Sequence, residues 1–344
     1  MSVMPADYLA QRTRVFLGGR TAMGWQRVLD LIRTKLPGRD LSRALFIRLE
    51  NGMGDQVCIL GLMGAWRDHF AASAIIAIAR GSSAELVSMY EGDLDLVLYF
   101  DQEPDVPYFR GESPYTVVHR PSKAHTKNGS MLPWYFCYGV SYLDQYRIGL
   151  ELPPGAPFKY PTLQGAMNMA DDAKILAMKD CVVLCPYSNT YPTESMDFYA
   201  KLAEHLVKAG YKVFTNTANR VNNIGLIKSS SIKSHVEIPG TEALDVSLST
   251  LLKIGSVASA IISGVSGPPY FLAGEACFKI VIHRDYFLSP PNLREDCGQR
   301  KLIDIDRVAR SYPGNGTIFD LESTSDYGSL IDQVLFILQS RGRL

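Results

Sequence analysis

The sequence predicts an α/β protein made of two Rossmann-like domains, and three observations carry that expectation. Short, continuously apolar runs alternate with amphipathic helical stretches from residue 44 onward. The runs lack the strict apolar–polar alternation of a half-solvated sheet, so they read as parallel strands covered on both faces. The pattern occurs twice, and the stretch "ELPPGAPFKYPTLQG" (151–165), with four prolines and two glycines, stands between the halves as a linker. Residues 1–150 then form a first domain with a basic helical leader, 166–325 a second domain, and 326–344 a C-terminal helix. A length of 344 residues suits two domains of ordinary size.

In the first half, "WQRVLDLIRTKL" has loosely helical spacing. "ALFIRL" is a strand, "DQVCILGLMGAWRDHF" one helix, "AIIAIA" a strand and "SSAELVSMY" a short helix. "LDLVLYF" and "YTVVH" are strands, residues 102–130 are loop-rich, and "WYFCYGVSYLDQYRIGL" is helical. In the second half, "CVVLCP" is a strand. It leads to the helix "ESMDFYAKLAEHLVKAG", which ends at Gly210 and for which Thr193 or Glu194 is the expected cap. "YKVFTN" is a strand, "RVNNIGLIK" helical, "HVEIPG" a strand with its turn, and "DVSLSTLLKIGSV" a helix. "SAIIS" and "FKIVIH" are strands on either side of the helix start "SGPPYFLAGEA", and "YGSLIDQVLFILQS" is the terminal helix.

Composition narrows the function classes. With 35 basic and 35 acidic residues the chain lacks the basic excess of a nucleic-acid binder. No run of 18 apolar residues exists to cross a bilayer, and the N-terminus has no secretory signal. Six cysteines, at 58, 137, 181, 185, 277 and 297, form no Cys-x-x-Cys and sit largely in apolar runs, as reduced structural thiols of a cytoplasmic protein do. Charge is concentrated in residues 1–48, where nine basic residues face three acidic ones, a net of +6. A basic amphipathic leader can dock peripherally at the inner face of a membrane, or pack its apolar side on the first domain. The second reading is the simpler.

Two turns stand out. After the first strand, Gly52-Met53-Gly54-Asp55 lets the backbone approach a ligand and places a carboxylate at a helix start. It is no dinucleotide fingerprint, since Val57 stands where a third glycine belongs and Arg80 ends the second strand where a ribose-binding acid belongs. Spacing leaves open whether Asp55 caps the helix or does chemistry. The second turn, Ser263-Gly264-Val265-Ser266-Gly267-Pro268, joins a strand to a proline-opened helix, a place where free N–H groups attract phosphate. The loop Tyr187-Ser188-Asn189-Thr190 supplies hydroxyl and amide groups at the same edge. Arg284, in "IHRDY", is a candidate phosphate contact or a surface arginine. Asp93 and Asp95 have the D-x-D spacing of a metal site but lead a strand, away from the ligand edge. Asp304 and Asp306 read as surface.

In their order, these motifs resemble the heptosyltransferases of lipopolysaccharide synthesis (glycosyltransferase family nine) across residues 44–283. Arg48 to "MGDQVCILGLMGAWRDHF" resembles that family's first strand and turn. "LCPYSNTYPTESMDF" is similar to its Pro-Gly-Ser and aromatic-Pro segment, "EIPGTEAL" to L-x-G-x-x-x-L, and "VSGPPYF" to D-[ST]-G-P-x-H. The resemblance implies a GT-B-like fold and a metal-independent, inverting transfer of sugar from a nucleotide-sugar donor to a glycan or glycolipid acceptor, with no cofactor. Asp55 would be the general base, and Asn51, Gly52 and Gly54 would lie on the acceptor side. The donor would meet Ser263, Ser266, Gly267 and Pro268, with Tyr187, Ser188, Asn189, Thr190, Asn216, Gly240 and Arg284. The chain departs from the family at Val265, where it has an acid, at Tyr270, where it has a histidine, and at Thr190, where a basic residue is common. Those departures put ADP-heptose in question as donor. They also keep two alternatives open: a sugar-nucleotide epimerase or hydrolase of the same architecture, and an inactive nucleotide-sugar-binding relative. The turn "GMGDQ" is also similar to the G-x-G-N-Q of some fucosyltransferases, whose later motifs fit less well.

Overall fold

The computed structural model of the chain describes residues 14–17, 24–49, 52–100, 116–119, 141–163, 172–186, 194–216, 238–284 and 307–340. The chain divides into two compact units. The first takes in residues 1–51, 55–134 and 143–167, and the second takes in 168–344 together with 52–54 and 135–142.

The first unit is built on five parallel strands: β1 (Arg14–Leu17), β2 (Ala44–Leu49), β3 (Ala74–Arg80), β4 (Leu96–Phe100) and β5 (Thr116–His119), in spatial order β1-β4-β3-β2-β5. Strands β2 and β4 are buried along their whole length, which is why they read as unbroken apolar runs rather than alternating ones. Helix α1 (Trp25–Lys35) buries Val28, Leu29 and Ile32 in one cluster with Phe46, Ile76 and Leu98. The apolar side of this part of the basic leader is therefore core of the first unit. Its basic side faces solvent, with Arg33 paired to Asp30 at 2.8 Å.

The stretch expected as one helix is two, α2 (Met53–Leu60) and α3 (Met63–Phe70). The reason lies at Gly61. A Cβ there would fall 2.2 Å from the Phe158 ring and 2.6 Å from the Lys159 carbonyl oxygen. The backbone bends where the 151–163 segment crosses it, and Lys159 N–H donates to the Gly61 carbonyl at 2.8 Å. The same segment is tied to Asp93 by Lys159 Nζ at 2.8 Å, so its end runs along the first unit. Helix α4 (Ala84–Ser88) and, from Leu143 on, helix α5 (Tyr142–Gly149) also belong to this unit.

The second unit has six parallel strands: β6 (Val182–Cys185), β7 (Val213–Asn216), β8 (Glu242–Leu244), β9 (Ala260–Gly264), β10 (Phe278–His283) and β11 (Ile318–Glu322). Their order is β11-β10-β9-β6-β7-β8. Helices α6 (Asp172–Ala177), α7 (Met196–Lys208), α8 (Leu248–Val257), α9 (Gly267–Phe271), α10 (Val308–Ser311) and α11 (Tyr327–Ser340) connect and follow them. Phe198, Leu202 and Leu206 of α7 share a core with Leu330, Ile331 and Val334 of α11 and with Ile262 and Ile280 of the sheet. The terminal helix is thus part of this core.

One sequence expectation is corrected here, and the rest are refined. Ser195, not Thr193 or Glu194, caps α7, accepting from the Phe198 N–H at 3.1 Å. Of "HVEIPG", residues 235–237 lie outside the described residues, while 238–240 form the expected turn, with Gly240 at a φ of 82° that suits glycine, and strand β8 follows it. The edge strands β1 and β11 are additions. The helix expected at "RVNNIGLIK", Asp285, Asp304, Asp306, Cys137 and Cys297 lie outside the described residues.

Candidate functional site

Both sheets are doubly wound, and each has one point where the strand order reverses. Ligands of such sheets bind outside the carboxyl ends of the strands at that point. In the first sheet β3 and β4 extend from one side of β2, while β5 pairs on the other, with Arg48 opposite His119. The reversal is thus at β2, whose carboxyl end runs through Gly52 into α2. Asp55 is an acidic residue in the first turn of that helix. Gly54 does not have a positive φ, so no left-handed turn demands glycine there. Asn51 lies outside the described residues.

Asp55 is partly buried and has a partner that the sequence did not reveal. The Tyr146 hydroxyl, on α5 and 91 residues away, donates to Asp55 Oδ1. Tyr146 is 1% exposed. The other two carboxylates singled out in this half have structural ties. Asp95 Oδ2 accepts from Arg67 at 2.7 Å and from the Ile75 N–H at 2.8 Å, and Asp93 pairs with Lys159 at 2.8 Å.

In the second sheet, β7 and β8 extend from one side of β6, and β9, β10 and β11 from the other. The reversal lies between β6 and β9, where Cys185 stands opposite Ser263. Two hydroxyls collect at this end without a hydrogen-bond partner among the described residues: Ser263 Oγ, fully buried, and Ser266 Oγ. Ser266 precedes α9 in an extended conformation and does not cap it with its side chain. An unpaired buried hydroxyl costs free energy, which makes the two candidates for a hydrogen-bonding role.

The helix start itself is a poorer phosphate site than its proline signature suggested. Pro268 and Pro269 occupy its first positions. Proline has no N–H, so of these three residues only Gly267 contributes a backbone donor. The hydroxyls must supply the rest.

The remaining candidates separate. Asn216 ends β7, buried, with Nδ2 3.6 Å from Cys185 Sγ. Gly240 makes a turn into open space. Arg284 is exposed and, with Glu194, Ser323, Thr324, Ser325 and Tyr327, lines a separate cavity of about 280 Å³. Its neighbour His283 is structural: Nε2 meets Asp320 Oδ1 at 2.7 Å, and Asp320 also takes the N–H groups of Val308 and Ala309. Tyr187, Ser188, Asn189 and Thr190 lie outside the described residues. Cys58, Cys181, Cys185 and Cys277 are buried, and burial pushes the Cys181 and Cys185 thiols up to about 12. Among the described residues no three His, Cys, Asp or Glu side chains gather as a metal site, and no helix is long and apolar enough to cross a membrane.

Known structures bear on this arrangement. The chain superimposes on E. coli ADP-heptose LPS heptosyltransferase II with a TM-score of 0.55, covering 87% of this chain and 99% of that one at 10% identity. The chain has the heptosyltransferase fold. It is also similar to a family 9 glycosyl transferase from Veillonella parvula, with a TM-score of 0.47 and 12% identity over 86% of this chain and 91% of that one. A further likeness is to the iron-containing dodecameric glycosyltransferase TibC of enterotoxigenic E. coli, with a TM-score of 0.48 and 13% identity over 70% of this chain and 57% of that one. No protein-family model matches the sequence, and no curated protein matches it.

Proposed function

We propose that the protein is a glycosyltransferase that moves a sugar from a nucleotide-sugar donor to a hydroxyl of a glycan or glycolipid acceptor, by a metal-independent, inverting single displacement. The observation that carries this reading is the content of the two strand-order reversals. One offers a carboxylate, the other two hydroxyls without a partner among the described residues, beside a glycine N–H.

Asp55 takes the proton of the acceptor hydroxyl as that oxygen bonds to the anomeric carbon. The bond from that carbon to the diphosphate breaks, and its electron pair leaves with the nucleoside diphosphate. A positioned base is worth about 10² to 10⁴ in rate. Ser263, Ser266 and the Gly267 N–H donate to the diphosphate and stabilise the charge it gains. Asp93 and Asp95, engaged by Lys159 and Arg67, support the metal-independent reading. The heptosyltransferase fold supports a heptose or hexose donor, and the work belongs on the cytoplasmic side of a membrane carrying the acceptor.

The test incubates the protein with ADP-heptose, UDP-glucose and GDP-mannose, with and without lipopolysaccharide-core acceptors. Nucleoside diphosphate released only with acceptor, together with a glycosylated product, is expected. Release without acceptor would mean a hydrolase, an altered sugar nucleotide an epimerase, and binding without turnover an inactive relative.

A further inference from the structure

Tyr146 is a residue that the motifs passed over, and the geometry points to it as the group that positions the base. This inference rests on the transfer reading above, with Asp55 as base. An ionised carboxylate only accepts hydrogen bonds, so the phenol is the donor and Asp55 Oδ1 the acceptor. A carboxylate has about four lone-pair sites, so accepting from the phenol does not by itself stop it taking the acceptor's proton.

The phenol is held firmly. Leu143, Tyr146 and Leu150, on and just after α5, are each 1% exposed. The helix is fixed further by Arg147, whose Nε donates to the Ala156 carbonyl at 3.0 Å and whose Nη1 meets Asp144 at 2.7 Å. Tyrosine has two side-chain torsions, and burial of the ring removes most of their freedom. A short aspartate in the first turn of a helix has several rotamers, some of which turn its oxygens back toward the helix N–H groups. A hydrogen bond from a fixed phenol selects one of them. Tyr146 therefore sets the direction in which the carboxylate presents itself to the acceptor hydroxyl, and acts through Asp55 rather than on the substrate.

Positioning and mere packing give different results. Tyr146→Phe keeps the ring and removes only the donor. Parent, Tyr146→Phe and Asp55→Asn are compared by steady-state kinetics on the nucleotide sugar and acceptor that the parent turns over best, with circular dichroism to confirm folding. The three proteins, labelled with ¹³C at the aspartate carboxyl carbon, are also compared by NMR at one pH. The Asp55 signal is the one missing from Asp55→Asn. In Tyr146→Phe that signal is expected to move, kcat to fall roughly tenfold because the base is less well oriented, and KM to stay close to the parent's. An unmoved Asp55 signal, or an unchanged kcat in the folded variant, overturns the inference. So does a change confined to KM. If Asp55→Asn itself turns over like the parent, or no donor is turned over at all, the transfer reading fails and the inference falls with it. Loss of turnover in Asp55→Asn with no change in Tyr146→Phe removes only the role of Tyr146.

Discussion

The two strand-order reversals are built alike and furnished differently. At the first, the candidate group is a carboxylate that already has a buried donor, Tyr146. At the second, the groups are Ser263 and Ser266 hydroxyls with no partner among the described residues. The difference follows from what each group costs when left alone. A carboxylate removed from water is expensive unless hydrogen-bonded, so a base has to be held by the protein before substrate arrives. An unpaired hydroxyl costs only about 1–3 kcal/mol, a penalty a fold can carry and a ligand can relieve. Under the proposed reading, a preorganised carboxylate suits a base and a pair of hydroxyls suits a binding site.

The largest effect that would break this comparison is at Asp55. Asp55→Asn should lower turnover by at least about 10²-fold while the protein stays folded and binds nucleoside diphosphate as before. Parent-like turnover would reduce Asp55 to a helix cap. Next comes Gly61→Ala, which tests the bend that starts α3. With the Phe158 ring 2.2 Å from the new Cβ, overpacking should cost about 1–3 kcal/mol in a denaturant melt.

Ser263→Ala sharpens the comparison from the other side. It should weaken nucleoside diphosphate binding about tenfold or less, yet leave the melting temperature of the ligand-free protein unlowered, because the hydroxyl it removes has no partner among the described residues. A clear loss of stability would mean the hydroxyl is already bonded. The smallest effects are expected from chelators and thiol reagents. EDTA should leave turnover intact, and loss restored by Mn²⁺ or Mg²⁺ would reopen the D-x-D reading of Asp93 and Asp95. Cys181 and Cys185, with thiols raised to about 12 by burial, should not react with a thiol reagent at pH 8 in the folded protein.

Much of the fold was legible because burial on both faces leaves a plain mark. Strands such as Ala44–Leu49 and Phe278–His283 are buried throughout and show as unbroken apolar runs. Strand β11, "IFDLE", is only partly buried along most of its length, so it carries no such mark. The bend at Gly61 was hidden because its cause, Phe158, comes from a segment read as a linker. Three possible caps stand in a row at Thr193-Glu194-Ser195, and only the register of α7 selects Ser195. Asp55 and Ser263 were singled out as candidates from strand-to-turn spacing. Tyr146 was not, since nothing local in "SYLDQYRIGL" marks a contact 91 residues away. The loss of two backbone donors at Pro268 and Pro269 was in the sequence, but its meaning depends on the helix starting at Gly267.

The division of labour between the two reversals is tested most directly by calorimetric titration of ADP, UDP and GDP into the parent, Asp55→Asn and the double variant Ser263→Ala/Ser266→Ala. The expected result is that the nucleoside diphosphate bound by the parent binds Asp55→Asn with unchanged affinity and binds the folded double variant more weakly, by about tenfold or more. Unchanged affinity in the double variant, or a loss confined to Asp55→Asn, would place the diphosphate away from the β6–β9 turn and contradict the account.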